Sequence, residues 1–193
     1  FRLRAKVALR DASADFAVAA GWGEAPMPDG PLAAPDPRLA EAGWRALSPA
    51  PLAADAEAAA YDLHRLALGL PDGAPDLESG KSVLLEGGFD ELAGVSWTKG
   101  CYMGQELTAR TKYRGLLKKR LFPVAVTGPL PASGTPVTRD GEEVGEMRSG
   151  RDGLGLALLR IEAVEHGGPF ACGAATLAPR IPAWMRLPAR EKA

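Results

Sequence analysis

The chain has 193 residues, 46% of them hydrophobic and 24% charged, with a formal net charge of -1. That length suffices for one large domain or two small ones with a real core, and the near-neutral balance gives no general reason to expect a polyanionic partner. Two cysteines, Cys101 and Cys172, exclude a dense disulfide framework and suit a reducing compartment, with a single bridge still open.

No apolar run approaches the roughly 20 residues of a membrane span, and no charged-then-apolar leader opens the sequence. The expectation is a cytoplasmic protein with no membrane partner. From the strand-like Phe1–Val7, the chain continues into two short strands, Lys6 to Arg10 and Phe16 to Ala20. The Asp- and Ser-containing connector between them predicts a hairpin. Gly21 to Pro37, thick with Pro and Gly, predicts an exposed loop. Asp36 is a candidate N-cap for a helical turn over Pro37–Ala42, and Gly43 to Leu47 predicts a strand.

The clearest helix spans about Ala54 to Leu68, Ala-rich and free of Gly and Pro. Leu63, Leu66, Ala67 and Leu70 form its apolar stripe, and Gly69 and Pro71 end it. His64 beside that stripe has no second ligand at metal spacing and reads as an ordinary helix residue. Pro71 to Lys81 predicts another loop, Val83 to Glu86 an apolar run, and Phe89 to Leu92 a helical turn. Glu86, Asp90 and Glu91 then crowd the approach to the densest stretch of chemistry. They are either solvated surface acids or acceptors for the amino-pyrimidine edge of a pterin.

That stretch is Ser96-Trp97-Thr98-Lys99-Gly100-Cys101-Tyr102-Met103-Gly104-Gln105-Glu106. It gathers a thiol, an amine, a phenol, an amide and a carboxylate around two close-set glycines. A helix is predicted from Gly104 to about Tyr113, which places Cys101 at a loop-to-helix junction. The unpaired N–H groups of a helix start, with Lys99 nearby, favour a thiolate. Gly100 and Gly104 leave backbone N–H groups free to face a ligand. A tight turn around a buried cysteine is the plain alternative.

Glu106 and Arg110 stand at i and i+4 and can pair. Arg110, Lys112, Arg114, Lys118, Lys119 and Arg120 follow with no acid between them. They form either a solvated basic face or a cradle for an anionic tail or phosphates. From about Leu116 the pattern changes to short strands: Arg120–Val126, Thr135–Thr138, Glu142–Arg148, Gly153–Arg160 and Ala174–Leu177. Asp140-Gly141 supplies a tight turn, the Gly-rich 167–173 stretch reads as another turn, and regularly spaced strands predict a small barrel. Pro179 to Ala193 predicts a tail, mobile beyond Trp184.

Lys99-Gly100-Cys101-Tyr102-Met103-Gly104-Gln105-Glu106 resembles the K-G-C-Y-x-G-Q-E signature of the YgfZ-type folate-binding proteins, relatives of the glycine cleavage system T-protein, with seven fixed positions in eight, all of them matched. The resemblance implies an α+β fold: a folate-binding-type body over residues 1–116, a small antiparallel barrel over 117–182 and a tail over 183–193. It also implies that a further stretch of folate-binding domain precedes such a body in whole proteins of this type. The implied function is a folate-dependent accessory role in iron–sulfur cluster assembly or repair. Cys101 would be the working thiol and Lys99 its electrostatic partner. Gly100, Tyr102, Gly104, Gln105, Glu106 and Arg110 would meet tetrahydrofolate or a derivative. Trp97 and Phe89 add aromatic faces, and Lys112 adds a charge for the anionic tail.

The expected partners are folate and, transiently, iron–sulfur client or carrier proteins; nucleic acid is not expected. An all-cysteine cluster takes four thiolates and this chain offers two, so no stably bound metal is expected. No G-x-G-x-x-G after a strand, Walker loop, H-E-x-x-H or C-x-x-C is present. Cys172 lacks a basic neighbour within three residues and reads as structural. Two competing classes are a one-carbon (aminomethyl) transferase, which does not depend on the Lys-Gly-Cys-Tyr motif, and an RNA-binding module using Arg110 to Arg120.

Overall fold

The computed structural model describes residues 6–29, 32–115 and 117–188. The expectations for Phe1–Ala5, for Gly30 and Pro31, for Leu116 and for the tail from Ala189 onward lie outside the described residues. The chain forms two compact units, Phe1–Glu57 and Ala58–Ala193. No described helix is long and apolar enough to cross a membrane.

The first unit is a three-stranded antiparallel sheet. It consists of β1 (Ala17–Gly21), β2 (Leu32–Pro35) and β3 (Trp44–Ser48), with β3 in the centre. Val18 and Leu32 both pair with Leu47, so one row of apolar side chains crosses all three strands. The hairpin expected around Asp11–Asp15 does not form. Lys6 to Ala12 has no regular structure, Ser13–Asp15 is a 3-10 turn, and β1 pairs with β3 instead. The Ser13 N–H is taken by the Asp11 carboxylate and Arg10 pairs with Asp15, local bonds that replace a ladder. The expected Gly21–Pro37 loop contains β2. Its Pro35 is tolerated because β2 is an edge strand.

Asp36 does not cap a helix. Its buried carboxylate accepts from the Arg38 N–H at 3.0 Å, from Arg38 Nε at 2.9 Å and Nη2 at 2.7 Å, and from Arg45 Nε at 3.2 Å. The helical turn shrinks to Ala40–Ala42.

In the second unit α1 spans Ala58–Leu68, starting later than expected because the exposed Ala54–Glu57 stretch has nothing to pack against. Leu66 and Leu70 are buried as the stripe predicts, but Ala67 is exposed and Arg65 is buried in its place. A four-residue helix, α2 (Gly73–Asp76), lies inside the expected 71–81 loop, with Asp72 accepting from the Gly73 N–H. Arg65 Nη1 donates to the buried Asp76 at 2.8 Å. Asp76 also accepts from the N–H and hydroxyl of Ser149, tying α1 and α2 to the barrel.

The signature helix α3 (Gln105–Tyr113) precedes the barrel. β4 (Lys119–Thr127), β5 (Pro136–Arg139), β6 (Glu142–Arg151), β7 (Leu154–Arg160), β8 (Phe170–Cys172) and β9 (Ala175–Pro179) close in the order β4-β7-β6-β5-β8-β9, every pairing antiparallel. The fold is thus α+β with a closed barrel, and no helix falls between Thr135 and Leu159. Ala157 and Leu159 of β7 join Phe122, Val124 and Leu177 in the barrel interior, while Leu156 packs outward with Leu121 against Leu66 of α1. Covered on both faces, β7 is a continuous apolar run. Asp140 and Gly141, both at positive φ, make the tight β5–β6 turn.

Two further elements, beside β2 and α2, escape the sequence. The helix α4 (Ile161–Glu165) follows β7, and β8 occupies the glycine-rich stretch read as a turn. The described part of the expected tail, 183–188, is packed: Met185 is buried, and Trp184 Nε1 donates to the Leu68 carbonyl at 2.8 Å. The change of pattern near Leu116 marks the approach to β4, while the two compact units divide at Glu57 and Ala58.

Candidate functional site

Residues 96–104 form an irregular loop whose last residue, Gly104, caps α3 at φ 86°. That left-handed conformation strains any residue with a Cβ, although a Cβ there would meet only open space. Conformation, not crowding, therefore selects glycine at 104. A Cβ at Gly100 would also find nothing within 4 Å, so the loop is open on that side.

Gln105 closes the loop's second end. Its side-chain oxygen accepts from the Tyr102 N–H at 3.1 Å, and its own N–H donates to the Tyr102 carbonyl at 3.3 Å. Glu106 and Arg110 form the expected i, i+4 ion pair on the exposed face. The Lys99 ammonium lies 4.9 Å from the centre of the Tyr102 ring, a cation–π contact. Cys101 is exposed and free. Cys172 is free and buried, with its thiol pushed up by that burial.

The structure therefore joins Lys99 to Tyr102, Tyr102 to Gln105 and Glu106 to Arg110, and leaves Gly100 and Cys101 on open loop. Among the described residues no group of three or more His, Cys, Asp or Glu is arranged to hold a metal ion.

The loop's first end is held by residues the sequence did not single out together. Trp97 Nε1 donates to Asp90 at 2.6 Å, and the Lys112 ammonium reaches the same carboxylate at 2.9 Å. Lys112 also sits 4.1 Å from the centre of the Trp97 ring, and Tyr113 meets that ring edge-on with centroids 5.9 Å apart. Asp90 and Lys112 stand twenty-two positions apart, so no local spacing announces the pair.

The six-cation run is not one face. Arg110 pairs with Glu106, Lys112 with Asp90, and the buried Arg120 with Glu91 at 2.7 Å, leaving Arg114, Lys118 and Lys119 exposed. Of the three acids expected before the signature, Asp90 and Glu91 are thus in ion pairs. Glu86 is half-buried, and desolvation pushes its carboxyl up. Beside α3 lies a cavity of about 500 Å³ whose wall includes Leu85, Asp90, Lys112, Arg120, Trp184 and Arg186.

Comparison with known proteins bears first on the barrel. Residues 118–187 match the family model described as the CAF17 C-terminal beta-barrel domain. The chain is similar to iron–sulfur cluster assembly factors. The mouse protein named mitochondrial iron-sulfur cluster assembly factor IBA57 is 45% identical over 147 residues, 70% of this chain and 40% of its own length. Its human counterpart is 42% identical over 165 residues, 77% of this chain and 46% of its own length. The IBA57 homolog of Mycosarcoma maydis is 32% identical over 208 residues, covering 86% and 52% respectively. The chain thus spans about half the length of the IBA57 relatives it matches. All three are named as mitochondrial, which overturns the cytoplasmic location expected from the sequence.

Proposed function

We propose that the chain serves iron–sulfur cluster assembly or repair as a folate-dependent accessory factor working through the Cys101 thiol. The observation that carries this reading is an exposed, unbridged cysteine in the signature loop of a chain similar to named assembly factors. An exposed thiol can be alkylated, oxidised or shared with a metal; a buried one cannot. With two cysteines, one of them buried, the cluster is cargo met transiently on a client or carrier protein.

For the folate, Glu86 supplies a half-buried carboxyl free of the ion pairs that engage Asp90 and Glu91, suited to a pterin's paired donors. The cavity beside α3 is within the size range of small-ligand pockets. Lys112 on its wall and Arg110 on the same helix, each already paired with one acid, would meet an anionic tail only with their remaining N–H donors. Bound folate would supply a one-carbon carrier and an aromatic ring system at the loop. The chain's own residues would orient it and present the thiol.

The RNA-binding alternative loses support because half of the six cations are paired with acids. The transferase alternative loses support because its chemistry does not use the Lys-Gly-Cys-Tyr motif. The test is replacement of a cell's own assembly factor by a full-length protein carrying this chain. Cys101→Ser is expected to abolish iron–sulfur enzyme activity while protein level and folate affinity persist; full activity in that variant would overturn the reading.

A further inference from the structure

The exposed segment Thr98–Cys101 is bracketed by two fixed points. At its far side, Tyr102 is held by the two bonds to Gln105. At its near side the Trp97 indole is fastened on three sides. Asp90 accepts its N–H, the Lys112 ammonium covers its face, and the Tyr113 ring meets it edge-on. Lys112 and Tyr113 belong to the last turn of α3, whereas Gln105 belongs to its first. One short helix therefore grips both ends of the loop that carries the thiol.

α3 itself has no buried residue. Apolar burial of its own side chains does not hold it, so the polar and ring contacts of its last turn carry more of that task. Asp90 is the shared partner, since the indole and the ammonium converge on one carboxylate.

We propose that Asp90 is a positioning residue for Cys101: by holding Trp97 and Lys112 together, it latches the signature loop to α3 and fixes where the thiol is presented. The inference rests on the reading of Cys101 as the working thiol for its purpose, but not for its geometry. Lys112 acts through the same latch, shielding one face of the indole while its charge neutralises the carboxylate.

The measurement is the electron paramagnetic resonance spectrum of a nitroxide attached to Cys101 in the full chain, in a Cys172→Ala background. The parent is expected to show a slow-motion component. Asp90→Ala should lose it, Lys112→Met should lose part of it, and Asp90→Glu, which keeps the acceptor and the charge, should restore it. Circular dichroism of each variant reports whether the barrel persists. A general structural role would broaden the thermal transition of the barrel and would not be rescued selectively by glutamate. A slow component that survives in folded Asp90→Ala overturns the latch whatever Cys101 does in cells. Conversely, a failed Cys101→Ser assay overturns the thiol reading and leaves the spectrum intact.

Discussion

Burial raises the Glu86 carboxyl above the ordinary glutamate range, with the charges of Lys119 and Arg148 opposing it only in part. A group whose folded value is raised binds its proton more readily in the folded chain. Its ionised form therefore lowers stability as pH climbs past the unfolded value. Glu86→Gln is expected to make the second unit more stable near pH 7 while weakening reduced-folate binding in calorimetry. A variant less stable than the parent would contradict the desolvation account. Asp36 moves the other way: the hydrogen bond from Arg38 outweighs desolvation and holds its carboxyl down at about 2. That depressed value contributes about 2 kcal/mol to the first unit. The contribution is complete above the unfolded carboxylate value, near pH 4, and is lost as pH falls through about 2. Asp36→Asn should remove this acid dependence, followed by tryptophan fluorescence of the first unit during acid titration.

Elements are held to one another by a few buried charges as well as by apolar contact. Arg120 of β4 and Glu91 of the turn before the signature are both largely buried. Glu91 also accepts the Arg186 N–H at 3.1 Å, so one carboxylate joins the turn, the barrel and the residues after β9. Removing one partner of such a pair strands the other charge, at a cost of about 3–5 kcal/mol. Glu91→Ala should lower the urea midpoint accordingly, and Glu91→Leu combined with Arg120→Met should recover most of it. A loss below about 1 kcal/mol, the scale of an exposed pair, would mean that water reaches Arg120. Apolar packing is tested at Leu66, fully buried against Leu121 and Leu156, where alanine should cost about 2–5 kcal/mol. The barrel strands were legible because their alternation and turn residues are local signals. Strand β8 was not, because Phe170 and Cys172 are two inward residues set among Gly167, Gly168, Pro169 and Gly173. β2 was hidden too, its pairing supplied by β3 nine to fifteen residues downstream.

At the scale of the molecule, the signature loop, its helix and the barrel were readable from the chain, as was the Glu106–Arg110 pair. What holds the loop was not, since Asp90, Trp97 and Lys112 meet only once the fold brings the turn against α3. The buried Arg65–Asp76–Ser149 network was illegible for the same reason: its members lie on α1, α2 and β6. Within this architecture the two thiols have opposite surroundings, Cys172 sealed in the barrel interior and Cys101 on the open loop. The most direct test of the central claim is mass-spectrometric alkylation kinetics at both cysteines of the folded protein near neutral pH. Cys101 should be modified much faster than Cys172, which should react only as the barrel unfolds. Equal rates, or a Cys101 that reacts only after denaturation, would contradict its assignment as the working thiol.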